Sequence, residues 1–412
     1  MGHQLHVGIV GGSIAGCSAA ILLERAGHRV TVFERSAQGL VGRGGGIGTT
    51  AEVVDSLVAD DLVDADFARV AIGGLAFTAG RSAADRLGVC PWQMPMDFRA
   101  FHWNTLWHNL RKRVPDACYR RGHEVTGIVS HDSTGTTLRL ADGSEHDFDL
   151  ALFADGYQSL GRATLFPDAG LAYRGYLLWR GLLPESEMDD PDPVENRIVR
   201  LSYLGMPGDL VVYFVPSQSG SIKKGERLFN WAAYVPLPES ELPAFMVDKL
   251  GRPRTGAIPP GRMRIESEHR LKAMMAEQLP AYFSDIIGRT RDTYVQLIYN
   301  VDLPAYARGR VALIGDAGMV VQPFTGSGVF KGMNNVRDLL TAMAEAESLD
   351  AALSRWSVDQ VRRGRRLLAL AAQMEQALIW NRLDFTTADA ATTAAWWRAA
   401  VTWPEEFSLE KR

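Results

Sequence analysis

The sequence predicts an α/β protein: a parallel sheet built from strand–helix–strand units, an antiparallel sheet as a second layer, and a C-terminal helical region. Three features carry this reading. Leu5 to Val10 and Arg29 to Phe33 are apolar, strand-like segments separated by an amphipathic stretch through about Ala26, and strands joined by a crossover helix lie parallel. Tyr173 to Tyr234 holds alternating, aromatic-rich segments broken by Pro and Gly, the pattern of an antiparallel sheet. From Gly328 to about Arg382 the periodicity is mostly helical.

The 412 residues, 46% hydrophobic and 22% charged, suit two or three structural units around a large core and exclude low-complexity or disordered chains. A net charge of -4 supplies no positive field for phosphate backbones or anionic lipid, so neither nucleic acid nor membrane is an expected partner. Cys17, Cys90 and Cys118 are odd in number and widely spaced, which indicates no disulfide framework or zinc site and fits a reducing cytoplasm. No segment approaches the roughly 18 apolar residues of a membrane span. Leu5 to Val10 is short and followed by glycines, so it does not read as a signal peptide.

In chain order, the first strand turns at Gly11-Gly12-Ser13-Ile14-Ala15-Gly16 into its helix, and the second strand ends on Glu34. The stretch from Gly39 to Gly48 is too rich in glycine for a strand or helix interior and reads as a loop; a helix follows from Ala51 to Val63. Phe98 to Val114 reads as a helix with Phe101, Leu106 and Leu110 on its apolar side. Thr137 to Leu140 and Glu145 to Phe148 flank an Asp142-Gly143 turn, a hairpin signature. Leu150 to Phe153 is a short strand closing on Ala154-Asp155-Gly156. A helix around Ser267 to Leu279, a strand from Tyr294 to Tyr299 and a strand from Arg310 to Ile314, ending on Gly315-Asp316, complete the order. The tail carries Trp396, Trp397 and Trp403, which cap the core or meet a second subunit.

A glycine turn between strand and helix lets the main chain approach a pyrophosphate, whose charge the helix N-terminus favours. Gly11, Gly12 and Gly16 suit that task, although Ser13 stands where the usual pattern has its middle glycine. Glu34, with Arg35 beside it, has the spacing and strand-end position at which a carboxylate accepts hydrogen bonds from a ribose diol; taken without the glycines it would be a solvated charge paired with Arg35. Asp155-Gly156 and Gly315-Asp316 each follow an apolar strand, and three such turns coincide. His102, His108 and His123 lack the spacing of metal ligands or of a nucleophile's partner and read as surface or internally satisfied residues; no GxSxG or HExxH occurs.

These three motifs, in this order and at these distances, resemble the class A flavoprotein aromatic hydroxylases, the para-hydroxybenzoate hydroxylase superfamily. Gly-Gly-Ser-Ile-Ala-Gly at 11–16, Val32-Phe33-Glu34-Arg35-Ser36, Gly175 to Gly181 and Gly315 to Leu339 look most like the 2,6-dihydroxypyridine 3-hydroxylase branch. The resemblance implies a Rossmann-like, GR2-type FAD-binding domain in two parts (1–170 and 291–345), a substrate-binding antiparallel sheet domain (171–290, with 70–100 contributing to the substrate side) and a helical region (346–412). It implies that Gly11, Gly12, Ser13, Ile14, Ala15 and Gly16 line the FAD pyrophosphate, and that Glu34 and Arg35 lie at the adenosine ribose. Asp155 and Gly156 would sit near the pyrophosphate, and Gly315 and Asp316 would hold the ribityl chain. Pro323, Thr325, Gly326, Ser327 and Gly328 would approach the isoalloxazine. Arg43, Gly46 and Ile47 belong to a loop that in this family runs beside the flavin; Arg43 is read equally as a flavin or nicotinamide contact and as a solvated loop residue.

Tyr176, Trp179, Arg180, Tyr203, Tyr213, Phe229 and Trp231 lie on the sheet that would roof the site, and Phe324 on the flavin-side turn. Aromatic residues on a sheet are more often core than ligand wall, so only some of them can face a substrate. Departures from the family pattern are Met319-Val320 in place of His-Pro, Trp103 in place of an Arg, and Asn334-Asn335 in place of Glu-Asp; the two Asn residues either remove negative charge behind the flavin or lie on the helix surface.

The implied activity is a single-component FAD-dependent monooxygenase that consumes O2 and NADH or NADPH and hydroxylates a small aromatic or heteroaromatic substrate through a flavin C4a-hydroperoxide. No side chain acts as a nucleophile, because the cofactor carries the hard step. Baeyer-Villiger insertion, epoxidation and flavin-linked reduction on the same fold remain alternatives, as does a non-enzymatic carrier; the choice of nicotinamide, the substrate and a homodimeric state stay open.

Overall fold

The structure is a computed structural model that describes residues 4–40 and 44–402. Three sheets organise it. The first has six strands in the order Ala307–Arg308, Val311–Leu313, Leu150–Phe153, His6–Val10, Arg29–Glu34 and Tyr119–Arg121. All neighbours in it are parallel except the pair formed by Ala307–Arg308. His6–Val10 is central, and its Val7, Ile9 and Val10 join a core that includes Cys17, Leu23 and Val336. The Ile14–Arg25 helix crosses between the first two parallel strands and packs against the Lys331–Glu345 helix. All three predicted turns, at 11–16, 155–156 and 315–316, therefore emerge from adjacent parallel strands at one edge of a single sheet, as sheet topology requires of a ligand crevice.

The second sheet has nine strands in the order Ala257–Ile258, Tyr294–Asn300, Ala172–Pro184, Leu228–Pro236, Asp209–Val215, Arg197–Ser202, Val70–Ala79, Val89–His102 and Gly46–Thr50. It is antiparallel apart from the parallel pairing of Arg197–Ser202 with Val70–Ala79. Its far edge curls back, so that a Cβ at Gly46 would meet Val215 and Asn230 of the same sheet. The Ile265–Gln278 and Ala281–Arg289 helices cover one face. A third, three-stranded sheet holds the predicted hairpin, Thr136–Leu140 with Glu145–Phe148.

Several local expectations are corrected. Residues 98–102 are strand, not helix, and the helix there is only Trp103–Arg111. The spacing of Phe98, Phe101 and Leu106 mimics a helical face, but Phe98–His102 has strands on both sides to pair with. The glycine stretch ends in a strand, Gly46–Thr50, rather than remaining loop. Glycine is compatible there because a Cβ at Gly48 would lie 2.2 Å from the Phe98 ring, so close pairing needs the missing side chain. The helix that follows, Ala51–Ala59, stops short of Val63. Helices from Lys331 to Glu345 and from Leu349 to Glu375 fill the C-terminal region, the second ending in a π-helical turn, Gln376–Trp380. Trp396 and Trp397 cap Phe77 and Phe385 of the nine-stranded sheet's core; Trp403 lies outside the described residues. Among the described residues no helix is long and apolar enough to cross a membrane.

Candidate active site

At the first turn Gly11 has φ +99°, and a Cβ at Gly16 would sit 1.8 Å from the Gly11 carbonyl oxygen, so both positions exclude any side chain. Ser13 is the N-cap of the Ile14–Arg25 helix, but its hydroxyl makes no capping bond and the first helical turn carries no acid. The helix therefore presents its first amides and the positive end of its dipole to an external anion. Trp107 Nε1 and the Tyr119 hydroxyl both donate to the Gly12 carbonyl, at 3.0 and 2.9 Å, fixing the turn from below. Glu34 is buried. Its carboxylate accepts from the amides of Gly12 at 3.0 Å and Ser36 at 2.8 Å, while Arg35 is exposed and does not pair with it.

The second turn uses Asp155 as an internal brace. Its Oδ2 accepts from the Leu160 amide at 2.7 Å, at the start of the Leu160–Leu165 helix, while Oδ1 is buried without a partner. Burial pushes the Asp155 carboxyl above its ordinary range, against the pull of the hydrogen bonds it accepts. Arg162, three residues past Ser159 and itself buried, donates to the carbonyls of Tyr157, Asp316 and Ala317 and so joins the second turn to the third.

In the third turn the Gly315 amide donates to Asn335 Oδ1 at 2.9 Å, and Asn335 Nδ2 donates onward to Gln360. Asn335 is thus buried and structural, whereas Asn334 is exposed; the two positions that the sequence left together separate into different roles. Lys331 Nζ pairs with Asp316. Pro323–Thr325 form a single 3-10 turn ending on Gly326, and a Cβ at Gly326 or Gly328 would have no atom within 4 Å. Gly315 instead packs against Ala15, closing the first and third turns on each other. Arg43 lies outside the described residues.

The nine-stranded sheet closes on itself at Gly45 and Gly46, which lie against Tyr294, Arg180, Asn230 and Val215. Arg180 Nη2 donates to the Gly46 carbonyl at 2.6 Å, and the Gly46 amide donates to Asn230 Oδ1 at 3.0 Å. The register puts Arg180 opposite Tyr294, and Tyr213 opposite Asn230, on this one face. Burial disfavours the Arg180 charge, but the nearby hydroxyls of Tyr294, Tyr213 and Tyr234 outweigh it and raise its pKa above the ordinary value, and its Nε is buried without a partner. Trp103 packs against Gly44 and stacks on Trp107.

Of the aromatic candidates, Tyr213 and Phe324 are half-buried, and the Phe324 ring lies 5.6 Å from that of Tyr234. Tyr176 is on the same face, but its hydroxyl donates to Glu375 at 3.0 Å. Trp179, Trp231 and Phe229 occupy the opposite, helix-covered face, because residues of odd and even offset along these strands point to opposite sides. Trp231 Nε1 donates to Thr290 Oγ1 at 3.0 Å there. Tyr203 is buried and donates to the Asp209 carbonyl at 2.9 Å. The sequence missed Arg162, Asn230, Lys331 and Glu375. Only Arg162 had a local signal, its fixed distance from Asp155-Gly156; the others become legible only when distant strands meet.

These residues fit FAD on structural grounds. An uncapped helix start, a turn closed to any Cβ, an open turn at Gly326 and Gly328, and a buried, unpartnered carboxylate oxygen together form a cradle for an elongated dinucleotide with an anionic centre and hydroxyl donors.

Comparison with known proteins agrees. The FAD binding domain family model matches residues 4–219, and an FAD binding domain-like model matches residues 173–300. The 2,6-dihydroxypyridine 3-monooxygenase of Paenarthrobacter nicotinovorans is 27% identical over 380 residues, 90% of this chain and 91% of that protein. The aurachin C monooxygenase/isomerase of Stigmatella aurantiaca is 26% identical over 381 residues, 92% of this chain and 90% of that one. The solved 2,6-dihydroxypyridine-3-hydroxylase from Arthrobacter nicotinovorans superposes with a TM-score of 0.83 at 24% identity, covering 93% of this chain and 95% of that one, and so shares its fold. The first family model spans more than half of the sequence, and the chain accordingly belongs to the FAD binding domain family, as an FAD-dependent monooxygenase of the para-hydroxybenzoate hydroxylase superfamily.

Proposed function

We propose that this monooxygenase hydroxylates a small, electron-rich aromatic or heteroaromatic ring, using O2 and either NADH or NADPH. The observation that carries the reading is Arg180: a guanidinium inside the protein, among tyrosine hydroxyls, with no carboxylate paired to it among the described residues. A buried cation without a counter-ion is costly unless a ligand supplies one, and an ionised ring hydroxyl is such a ligand. FAD, when bound, supplies electron transfer from the nicotinamide to O2 and the oxygen insertion that no side chain here performs. The protein's own residues bind and orient. The first turn takes the pyrophosphate, Glu34 the adenosine ribose, and Asp316 the ribityl chain. Tyr213 and Phe324 flank the substrate ring, and the curled sheet edge at Gly44–Ile47 separates that space from solvent.

The absence of a second glycine-turn motif supports transient docking of nicotinamide on the FAD domain. The relatives above, both named as monooxygenases and one of them for a dihydroxypyridine, favour hydroxylation over the carrier alternative. The test is an O2-consumption screen of hydroxylated pyridines, indoles and phenols with both nicotinamides, with products identified by mass. The expected product gains one oxygen atom and keeps its ring. A ring-expanded product, or no oxygenated product from any class, would overturn the reading.

A further inference from the structure

Lys331 occupies an electrostatically unfavourable place. It is the first residue of the Lys331–Glu345 helix, where the dipole repels a cation, and its side chain is only 7% exposed, so the ammonium is also stripped of water. Two acceptors offset this cost: Asp316 Oδ1 at 2.5 Å and the Met319 carbonyl at 2.5 Å. The Met319 carbonyl could be satisfied by a neutral donor; among the described residues the full charge is matched only by Asp316. That carboxylate is still 46% exposed, and among the described residues no bond reaches its Oδ2. Asp316 is thus held by one oxygen and free at the other, on the turn whose backbone Arg162 and Asn335 have already fixed.

We propose that Lys331 is a positioning residue for the cofactor: it holds Asp316 in a single rotamer, so that the free carboxylate oxygen is aimed at the hydroxyls of the ribityl chain. The inference rests on the assignment of Asp316 to that chain. It extends that assignment by stating that the carboxylate cannot perform the task alone. Without the ammonium, a mobile anion would face a cofactor that is itself anionic, and rotamer freedom would have to be lost at the moment of binding.

The test is a double-mutant cycle on FAD affinity, read by quenching of flavin fluorescence when FAD is titrated into apoprotein prepared from the full chain. Lys331→Met and Asp316→Asn are each expected to weaken FAD binding about 10- to 100-fold, the loss of one charge-assisted hydrogen bond. The double variant is expected to bind within about 3-fold of Asp316→Asn alone, because two residues acting through one interaction do not add. Lys331→Arg, which keeps the charge, is expected to recover part of the loss. Wild-type affinity in Lys331→Met, or a double variant whose loss is the product of the two single losses, would overturn the proposal. Wild-type affinity in Asp316→Asn would instead show that the ribityl assignment is wrong. Should Lys331→Met fail to fold, Lys331→Gln retains a donor for the Met319 carbonyl. The same cycle with that variant then decides, a loss in the Asp316→Asn background refuting the inference.

Discussion

Arg180 Nη2 lies 2.6 Å from the carbonyl oxygen of Gly46, so the Ala172–Pro184 strand also holds the Gly46–Thr50 strand at the far edge of the same sheet. One guanidinium thereby ties two separated strands of the nine-stranded sheet together, while its Nε remains without a partner. Replacing Arg180 by Gln is expected to raise KM for an acidic hydroxyaromatic substrate about 10- to 100-fold, the value of a charged hydrogen bond. FAD content, measured from flavin absorbance, is expected to stay near one per chain. A Gln variant with unchanged KM would remove Arg180 from substrate recognition.

Gly328 offers a contrast between fold and cofactor. Nothing lies within 4 Å of a Cβ built there, and its φ is not in the left-handed region, so Gly328→Ala is expected to leave the unfolding midpoint of the apoprotein within the effect of about 0.5 kcal/mol typical of an unconstrained surface site. If the open space is where the flavin ring approaches, the same methyl group weakens FAD binding. Thermal unfolding of apoprotein and an FAD titration, run side by side, check both halves. Gly16→Ala should fail at the first half already, because its methyl would overlap the Gly11 carbonyl.

Glu375, with a side chain 1% exposed, accepts from Arg174 through Nε at 3.0 Å and Nη2 at 2.6 Å, from the Tyr176 hydroxyl at 3.0 Å and from Gln322 Nε2 at 2.5 Å. Burial alone would raise its carboxyl, but the bonds from Arg174 and Gln322 hold it below the ordinary value, so it is ionised. It ties the last turn of the long C-terminal helix to the sheet and to the residue preceding Pro323. Glu375→Ala leaves a guanidinium without its anion and is expected to cost about 3–5 kcal/mol, read as a lowered urea midpoint. Glu375→Gln should lose less, since it still accepts hydrogen bonds. Equal midpoints for wild type and Glu375→Ala would show that the network contributes nothing.

His102 is the N-cap of the Trp103–Arg111 helix. Its Nδ1 accepts from the Asn104 amide at 3.2 Å, which places the neutral ring's proton on Nε2. Burial, then the nearby charge of Arg180, push its pKa below the ordinary 6.5. The unfolded chain therefore takes up a proton before the folded one as pH falls through 6.5, and stability declines below that pH. His102→Gln lacks this response. The gap in Tm between the two proteins is expected to narrow as pH is lowered from 7.5 to 5; a constant gap would mean His102 does not titrate differently on folding.

The sequence by itself determined the parts whose information is local. The turns at 11–16, 155–156 and 315–316 each combine an apolar strand with residues that only a sharp, close-approach backbone requires, and they lie together because parallel strands in one sheet must end at the same edge. The nine-stranded sheet was visible as a sheet but not as a surface. Trp179 and Arg180 are neighbours in the chain and face opposite ways, and the register with Tyr294 and Ala232, set across strands more than fifty residues away, decides which one meets Gly46. The strand at 98–102 reads as helix in isolation because its apolar spacing suits both periods; its partners at 46–50 and 70–79 resolve the ambiguity by supplying backbone hydrogen bonds. The same holds for Lys331, Asn335 and Glu375. Each is a polar residue on a helix until tertiary packing removes water from it, and only then does the need for a specific partner fix its role.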